Sequence, residues 1–167
     1  MKKIELVNCD KALLELILEG DEALAQQTRW TIPAKWTEFG DFIFEFALKK
    51  ITENPASQIW WTYLPILVEQ NTLVGNCGYK GEPDAEGVVE IGYEVAEDFR
   101  GRGLATEIAG MLIDRAFGFK EVTTIRAHTL AEENASVCVL RKHNFKFIEA
   151  LDDPDDGAIW RWELKKR

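Results

Sequence analysis

Apolar residues along this chain fall into short runs of period two, separated by runs of period three to four. Strands and helices leave these two patterns respectively. Ile4 and Leu6 alternate with Glu5, which predicts a first strand over 3–8. Asp10 is placed to cap a helix from Lys11 to Leu18, and Gly20 to end it. A second helix is predicted from Trp36, Phe39, Ile43, Phe46 and Lys50, spaced by threes and fours and opening near Pro33. Phe42, Phe44 and Leu48 fall outside that stripe, so the helix is apolar over a width that suits a pocket wall as well as a core. Residues 58–69 are rich in β-branched and aromatic side chains, Gln70-Asn71 is turn-like, and 72–80 resumes strand character, which reads as a hairpin. After a turn at 82–87, Val88 to Ala96 is a third consecutive strand. It runs through glycines into a helix marked by Leu104, Ile108, Met111, Leu112 and Phe119.

Thr123 to Thr129 alternates as a strand, and Ala131 to His143 reads as a helix with Glu132 and Glu133 at its positive end. Asn144 fits a left-handed cap. Phe145 to Leu151 and Ala158 to Leu164 form a closing hairpin around the acidic turn 152–157. The expected order is β-α-α-β-β-β-α-β-α-β-β, without repeat, linker or low-complexity tract. That order predicts one α/β domain over 1–167, with a mixed central sheet of about seven strands and helices on both faces.

Composition narrows the choice of partner. The chain has 167 residues, 46% hydrophobic and 29% charged, which suits one globular domain. Its formal net charge of -9 disfavours nucleic acid, whose binding rests on Lys and Arg neutralising phosphates, and favours a cationic substrate. No apolar run approaches the roughly 18 residues that span a bilayer, and the polar N-terminus does not read as a secretory signal, so a cytoplasmic protein with no membrane partner is expected. Cys9, Cys77 and Cys138 are too scattered for a disulfide framework or a zinc site. They read as reduced thiols, Cys138 as a small core residue. His128 and His143 fall in different elements and read as structural, so no metal is expected.

The most specific chemistry lies at Phe99-Arg100-Gly101-Arg102-Gly103-Leu104-Ala105, between a strand and a helix. Glycine has no Cβ to keep an anion from the backbone, and a helix's first turn offers N–H groups without intrahelical partners at a partially positive end. A diphosphate seated there is both hydrogen-bonded and electrostatically favoured. A plain tight turn explains the glycines equally well. A dinucleotide fold is disfavoured because Thr106 stands where a third glycine would, and a P-loop because no Gly-Lys-Ser/Thr is present.

Three motifs in order add specificity. Arg100-x-x-Gly103-x-Ala105 resembles the Gln/Arg-x-x-Gly-x-Gly/Ala signature of the GNAT N-acetyltransferase superfamily. Glu90-Ile91-Gly92-Tyr93-Glu94-Val95 resembles a strand of the branch containing the ribosomal-protein N-terminal acetyltransferases. Ser136-x-x-Val139-Leu140-x-Lys142-x-Asn144-Phe145 resembles that branch's Asn-x-x-Ser-x-x-Val-Leu-x-Lys-x-Gly-Phe. Asn144 replaces the glycine, and the branch's asparagine falls on Glu133, with Asn134 one place later.

The resemblance implies acetyl-coenzyme A as acyl donor. Its pyrophosphate would lie at Arg100, Gly101, Arg102, Gly103, Leu104, Ala105 and Thr106, its pantetheine arm beside Tyr93, Glu94 and Val95, with Asn134 nearby. The acceptor would be a primary amine, either a peptide N-terminus or a small molecule. A lysine-like amine with pKa of about 10.4 is protonated at neutral pH, so a base is useful. Glu90 ranks first and Glu94, two residues on and sharing its face, second. A solvated carboxylate on a polar strand face is the plain alternative for each. The position where relatives carry a tyrosine acid is Leu140, which leaves Ser136 as a hydroxyl donor. A coenzyme A-binding sensor without chemistry is the competing reading. A homodimer through the tryptophan-bearing closing hairpin is an open possibility.

Overall fold

The computed structural model describes residues 3–167. Its elements are β1 (Ile4–Asn8), α1 (Lys11–Glu19), α2 (Asp21–Thr28), α3 (Phe42–Glu53), β2 (Thr62–Leu67), β3 (Thr72–Leu73), β4 (Gly75–Tyr79), β5 (Val88–Val95), α4 (Leu104–Phe117), β6 (Thr124–Leu130), α5 (Ala135–Lys142), β7 (Lys146–Asp153) and β8 (Gly157–Lys165). The strands form one 8-stranded mixed sheet in the order β1-β2-β4-β5-β6-β8-β7, with β3 paired to β2. All neighbours pair antiparallel except β5 and β6. This is the α/β architecture that the hydrophobic pattern predicts.

Each face of the sheet has its own core, and strand alternation sorts side chains between them. Tyr63 and Leu67 of β2 join Val89, Ile91 and Val95 of β5 beneath Leu104, Ile108 and Leu112 of α4 and Leu140 of α5. Leu64 and Ile66 point the other way, to Leu14, Ile17, Leu24, Phe44, Ala47 and Ile51 of the first three helices.

Five expectations are corrected. Gly20 ends α1 but also opens α2, which escapes a pattern search because its eight polar-rich residues bury only Leu24. The helix expected from Pro33 begins at Phe42. The stretch before it has tertiary partners instead: Trp36 Nε1 donates to Asp21 Oδ1 at 3.0 Å, and the Thr37 hydroxyl donates to Glu94. The core stripe of α3 is Phe44, Ala47 and Ile51, so the stripe through Phe39 and Phe46 faces elsewhere. Finally, α5 starts at Ala135, where Asn134 Oδ1 accepts from Val137 N at 3.0 Å; Glu133 stays outside the helix, paired with Arg141. Val137, Val139 and Leu140 take the buried positions of α5 and leave Cys138 exposed rather than in the core.

Candidate active site

The parallel pairing of β5 with β6 stops almost as soon as it begins. Only Val88, Val89 and Glu90 are matched, to Thr124, Ile125 and Arg126, while β5 continues to Val95 and β6 to Leu130. Beyond Glu90 the two strands fork. On its other side β5 stays paired with β4, through bonds such as Lys80 N to Glu90 O (3.0 Å) and Ala96 N to Val74 O (2.8 Å). Antiparallel pairing alternates, so even-numbered residues of β5 bond to β4. Ile91, Tyr93 and Val95 therefore turn their amides and carbonyls into the fork. An extended chain laid there would meet a strand edge free of strand partners, with the Val95 carbonyl held by Arg100 Nε.

At the end of β5 the backbone turns through Glu97–Phe99 and reaches α4 by way of Gly101 and Gly103, both at φ +76. That left-handed geometry is open to glycine at little expense. A Cβ built on either glycine would find nothing within 4 Å, so the space beyond them is open. Gly103 caps α4 without any side-chain bond. Among the described residues, none accepts a hydrogen bond from the N–H groups of residues 101–106. Six consecutive donors at a helix's positive end thus face outward beside the fork.

The arginines of the turn are partly engaged. Arg100 Nε donates to Val95 O at 2.9 Å, and its guanidinium reaches Glu38 Oε1 at 3.3 Å. Arg102 lies over the Phe99 ring at 5.1 Å, with a long bond to Asp98 O. Both stay close enough to add positive potential at the turn.

A cavity of about 790 Å³ passes through the fork, lined by Ile91, Gly92, Tyr93 and Glu94 of β5, Ala127 and His128 of β6, Ser136 of α5, and the aromatic side of α3. Glu94 accepts from the Thr37 hydroxyl and from Glu38 N, and burial lifts its carboxyl above the ordinary carboxylate range despite those bonds. Glu90 is not on the cavity wall. Its oxygens are taken by Lys80 Nζ at 2.7 Å and His128 Nδ1 at 3.1 Å. On the other side of the sheet, the Tyr93 hydroxyl lies 3.3 Å from Ser136 Oγ, and burial raises its pKa, which keeps it protonated at neutral pH.

The structure therefore brings Tyr93, Glu94, Val95, Ser136 and the 100–106 turn around one fork. Asn134 stands at the head of α5, with its Oδ1 committed to the cap. Pattern reasoning missed His128, which lines the cavity and also accepts from Arg161 Nε at 3.2 Å through Nε2. It missed Thr37 and Lys50 as well. The register pairs Glu90 with Arg126 and brings the His128 ring, two residues on, within reach of the Glu90 carboxylate, a tertiary fact with no local signature.

Over residues 6–146 the chain matches the acetyltransferase (GNAT) domain family. This protein is a GNAT acetyltransferase. It is 23% identical over 145 residues to YjdG, an uncharacterized N-acetyltransferase of Bacillus subtilis (strain 168), with 86% of each chain covered. Solved structures with the same fold include RimL, a ribosomal L7/L12 alpha-N-protein acetyltransferase in complex with coenzyme A. The TM-score is 0.69 and the identity 17%, over 99% of this chain and 95% of that one. Spermidine N-acetyltransferase from Vibrio cholerae, a dodecamer, gives a TM-score of 0.69 at 13% identity, over 98% and 94%. At such identities the likeness speaks for the fold. The branch suspected from the three sequence motifs is the one in which RimL stands.

Proposed function

We propose that this acetyltransferase moves the acetyl group of acetyl-coenzyme A to a primary amine, either a small molecule or a peptide N-terminus, in the cytoplasm. The observation that carries the reading is the row of six unpartnered N–H groups at the glycine turn, set at the mouth of a strand fork. Main-chain donors at the head of α4 suit a pyrophosphate, and the edge of Tyr93 and Val95 suits an amide-bearing arm. Acetyl-coenzyme A supplies the thioester, whose acetyl carbon takes the amine nitrogen as its C–S bond breaks.

The chain's own residues handle the protons and the charge. Glu94 takes the proton that the ammonium or the attacking nitrogen loses, directly or through water. Its neutral hydrogen-bond partners and its partial burial make it a better acceptor than an exposed carboxylate. Glu90, off the cavity wall and bound to Lys80 and His128, positions the strand at the root of the fork. The Val95 N–H is turned toward the region where an acyl oxygen gathers charge. Tyr93, still protonated at neutral pH and next to Ser136, donates to the departing sulfur, since Leu140 is apolar and buried in the core.

Thiol release from acetyl-coenzyme A with a panel of primary amines tests the reaction, and calorimetry with coenzyme A tests the seat. Coenzyme A binding without thiol release from any amine would leave a binding protein rather than an enzyme.

A further inference from the structure

The acceptor side of the cavity has an unusual wall. Phe39, Phe42 and Phe46 are 55%, 74% and 42% exposed, although α3 has a complete core stripe without them. Phe42 and Phe46 share one side of α3, with Phe39 in the segment just before it; Phe42 stacks on Phe46 at 6.3 Å, and Trp61 packs edge-on with Phe46 at 5.6 Å. Large apolar side chains held on a cavity rim mark a binding surface rather than ordinary exposure. Glu94, the half-buried carboxylate assigned above as proton acceptor, lines the same cavity.

We propose that the acceptor is a monoamine carried on an apolar, aryl-sized body, such as an arylalkylamine. Its ring lies against Phe42, Phe46 and Trp61 while its amine reaches Glu94. This rests on the acetyltransferase reading and narrows its substrate class. The charges along the cavity point the same way. Lys50 Nζ lies over the Phe46 ring at 5.2 Å, filling the aromatic face that a second ammonium would seek. Lys80 also lines the cavity. Of the other carboxylates there, Glu82 already accepts from Asn54 Nδ2 at 3.1 Å, and Asp156 sits in the exposed hairpin turn. A chain of several ammonium groups would therefore meet one half-buried carboxylate followed by rings and lysines. A single ammonium on an apolar body meets complementary surface throughout.

The test is a thiol-release comparison of 2-phenylethylamine, ethylamine and spermidine, with calorimetric titration of 2-phenylethylamine into the coenzyme A-loaded protein. The aryl amine is expected to exceed both others in kcat/KM by about tenfold or more. Phe42→Ala, at a solvent-facing position, is expected to collapse the ratio of aryl amine to ethylamine chiefly through KM. Equal or better turnover of spermidine, or an unchanged ratio in Phe42→Ala, overturns the substrate class while leaving the acetyltransferase reading intact. Aryl amine binding without thiol release from any amine upholds the class of ligand and overturns the reaction.

Discussion

The two halves of the site are made of different material. The donor half, from Val95 through the 100–106 turn into α4, is built of main chain: six N–H groups, a strand edge and two glycines at φ +76. The acceptor half is built of side chains drawn from α3, the segment before it, and the strands at the fork. Phe39, Phe42, Phe46, Trp61, Glu94 and His128 come together there from across the chain. A main-chain site tolerates great variation in sequence provided the backbone can turn. A side-chain site changes its ligand with each substitution. Such a division lets one fold keep a common donor while acceptors diversify.

The strongest way to break this division is to remove the proposed proton acceptor, Glu94, from the acceptor half. Glu94→Gln is expected to lower kcat/KM at neutral pH by about a hundredfold or more, while coenzyme A binds as before. The wild-type rate should fall on its acid side at a pH above the ordinary carboxylate range, because burial raises Glu94, and this limb should vanish in the variant. Stability follows the opposite sign from activity. A carboxyl whose pKa is raised by folding lends stability below its unfolded value and loses it as pH rises through the folded one. At pH 7 the Glu94 charge therefore opposes folding, and Glu94→Gln should keep or raise Tm. A lower Tm accompanied by a lost coenzyme A titration would make Glu94 a structural residue.

The matching strike on the donor half is Gly103→Ala. No neighbour lies within 4 Å of the new Cβ, so the damage comes from the left-handed backbone, about 1–2 kcal/mol. The Cβ also stands in front of the donors. Coenzyme A Kd should rise about tenfold, equivalent to about 1.4 kcal/mol, while the relative rates among amines stay constant. A changed amine preference would show that the halves are not separable.

The same contrast explains what the sequence discloses. The glycine turn is legible because its function is its backbone, and the backbone requirement is written locally in Gly101 and Gly103. The strands are legible because each repeats a two-residue period against a buried face. The acceptor half is half visible: the excess width of α3 at Phe42, Phe44 and Leu48 signals a pocket wall, but of these Phe44 is core, and Phe46 of the main stripe lines the cavity with Phe42. Which rings faced the cavity depended on Trp36 being drawn to Asp21 and Thr37 to Glu94, contacts that shift the start of α3 to Phe42. Glu90 outranked Glu94 on strand position alone. Only the fork shows that Lys80 and His128 occupy Glu90, while Glu94 reaches the cavity.

Arg100 sharpens the comparison because it touches both halves, through Val95 O at 2.9 Å and Glu38 Oε1 at 3.3 Å. Glu38 also donates its amide to Glu94. Arg100→Ala frees the Val95 carbonyl and loosens the loop that holds Glu94. Since the Glu38 pair is exposed, most of the effect comes from the Val95 bond, on the order of 1 kcal/mol. KM for acetyl-coenzyme A and KM for the amine should both rise, by roughly fivefold at that energy. Arg100→Lys is not expected to restore either, because a single ammonium cannot reach both partners in the planar fork geometry. A rise in only one KM would assign Arg100 to that half.

The smallest expected effect belongs to Tyr93, whose backbone serves the donor half and whose hydroxyl meets Ser136. Tyr93→Phe removes one neutral hydrogen bond, which predicts a loss of about two- to tenfold in kcat. The pH profile tells what that loss means. Coenzyme A leaves as a thiolate, and a thiol of pKa about 8.5 scarcely needs a proton in more alkaline solution. If the Tyr93 hydroxyl protonates the departing sulfur, the deficit of Tyr93→Phe should shrink as pH climbs beyond that value. If the hydroxyl merely holds Ser136 and the head of α5 in place, the deficit should be the same at every pH and should be matched by Ser136→Ala.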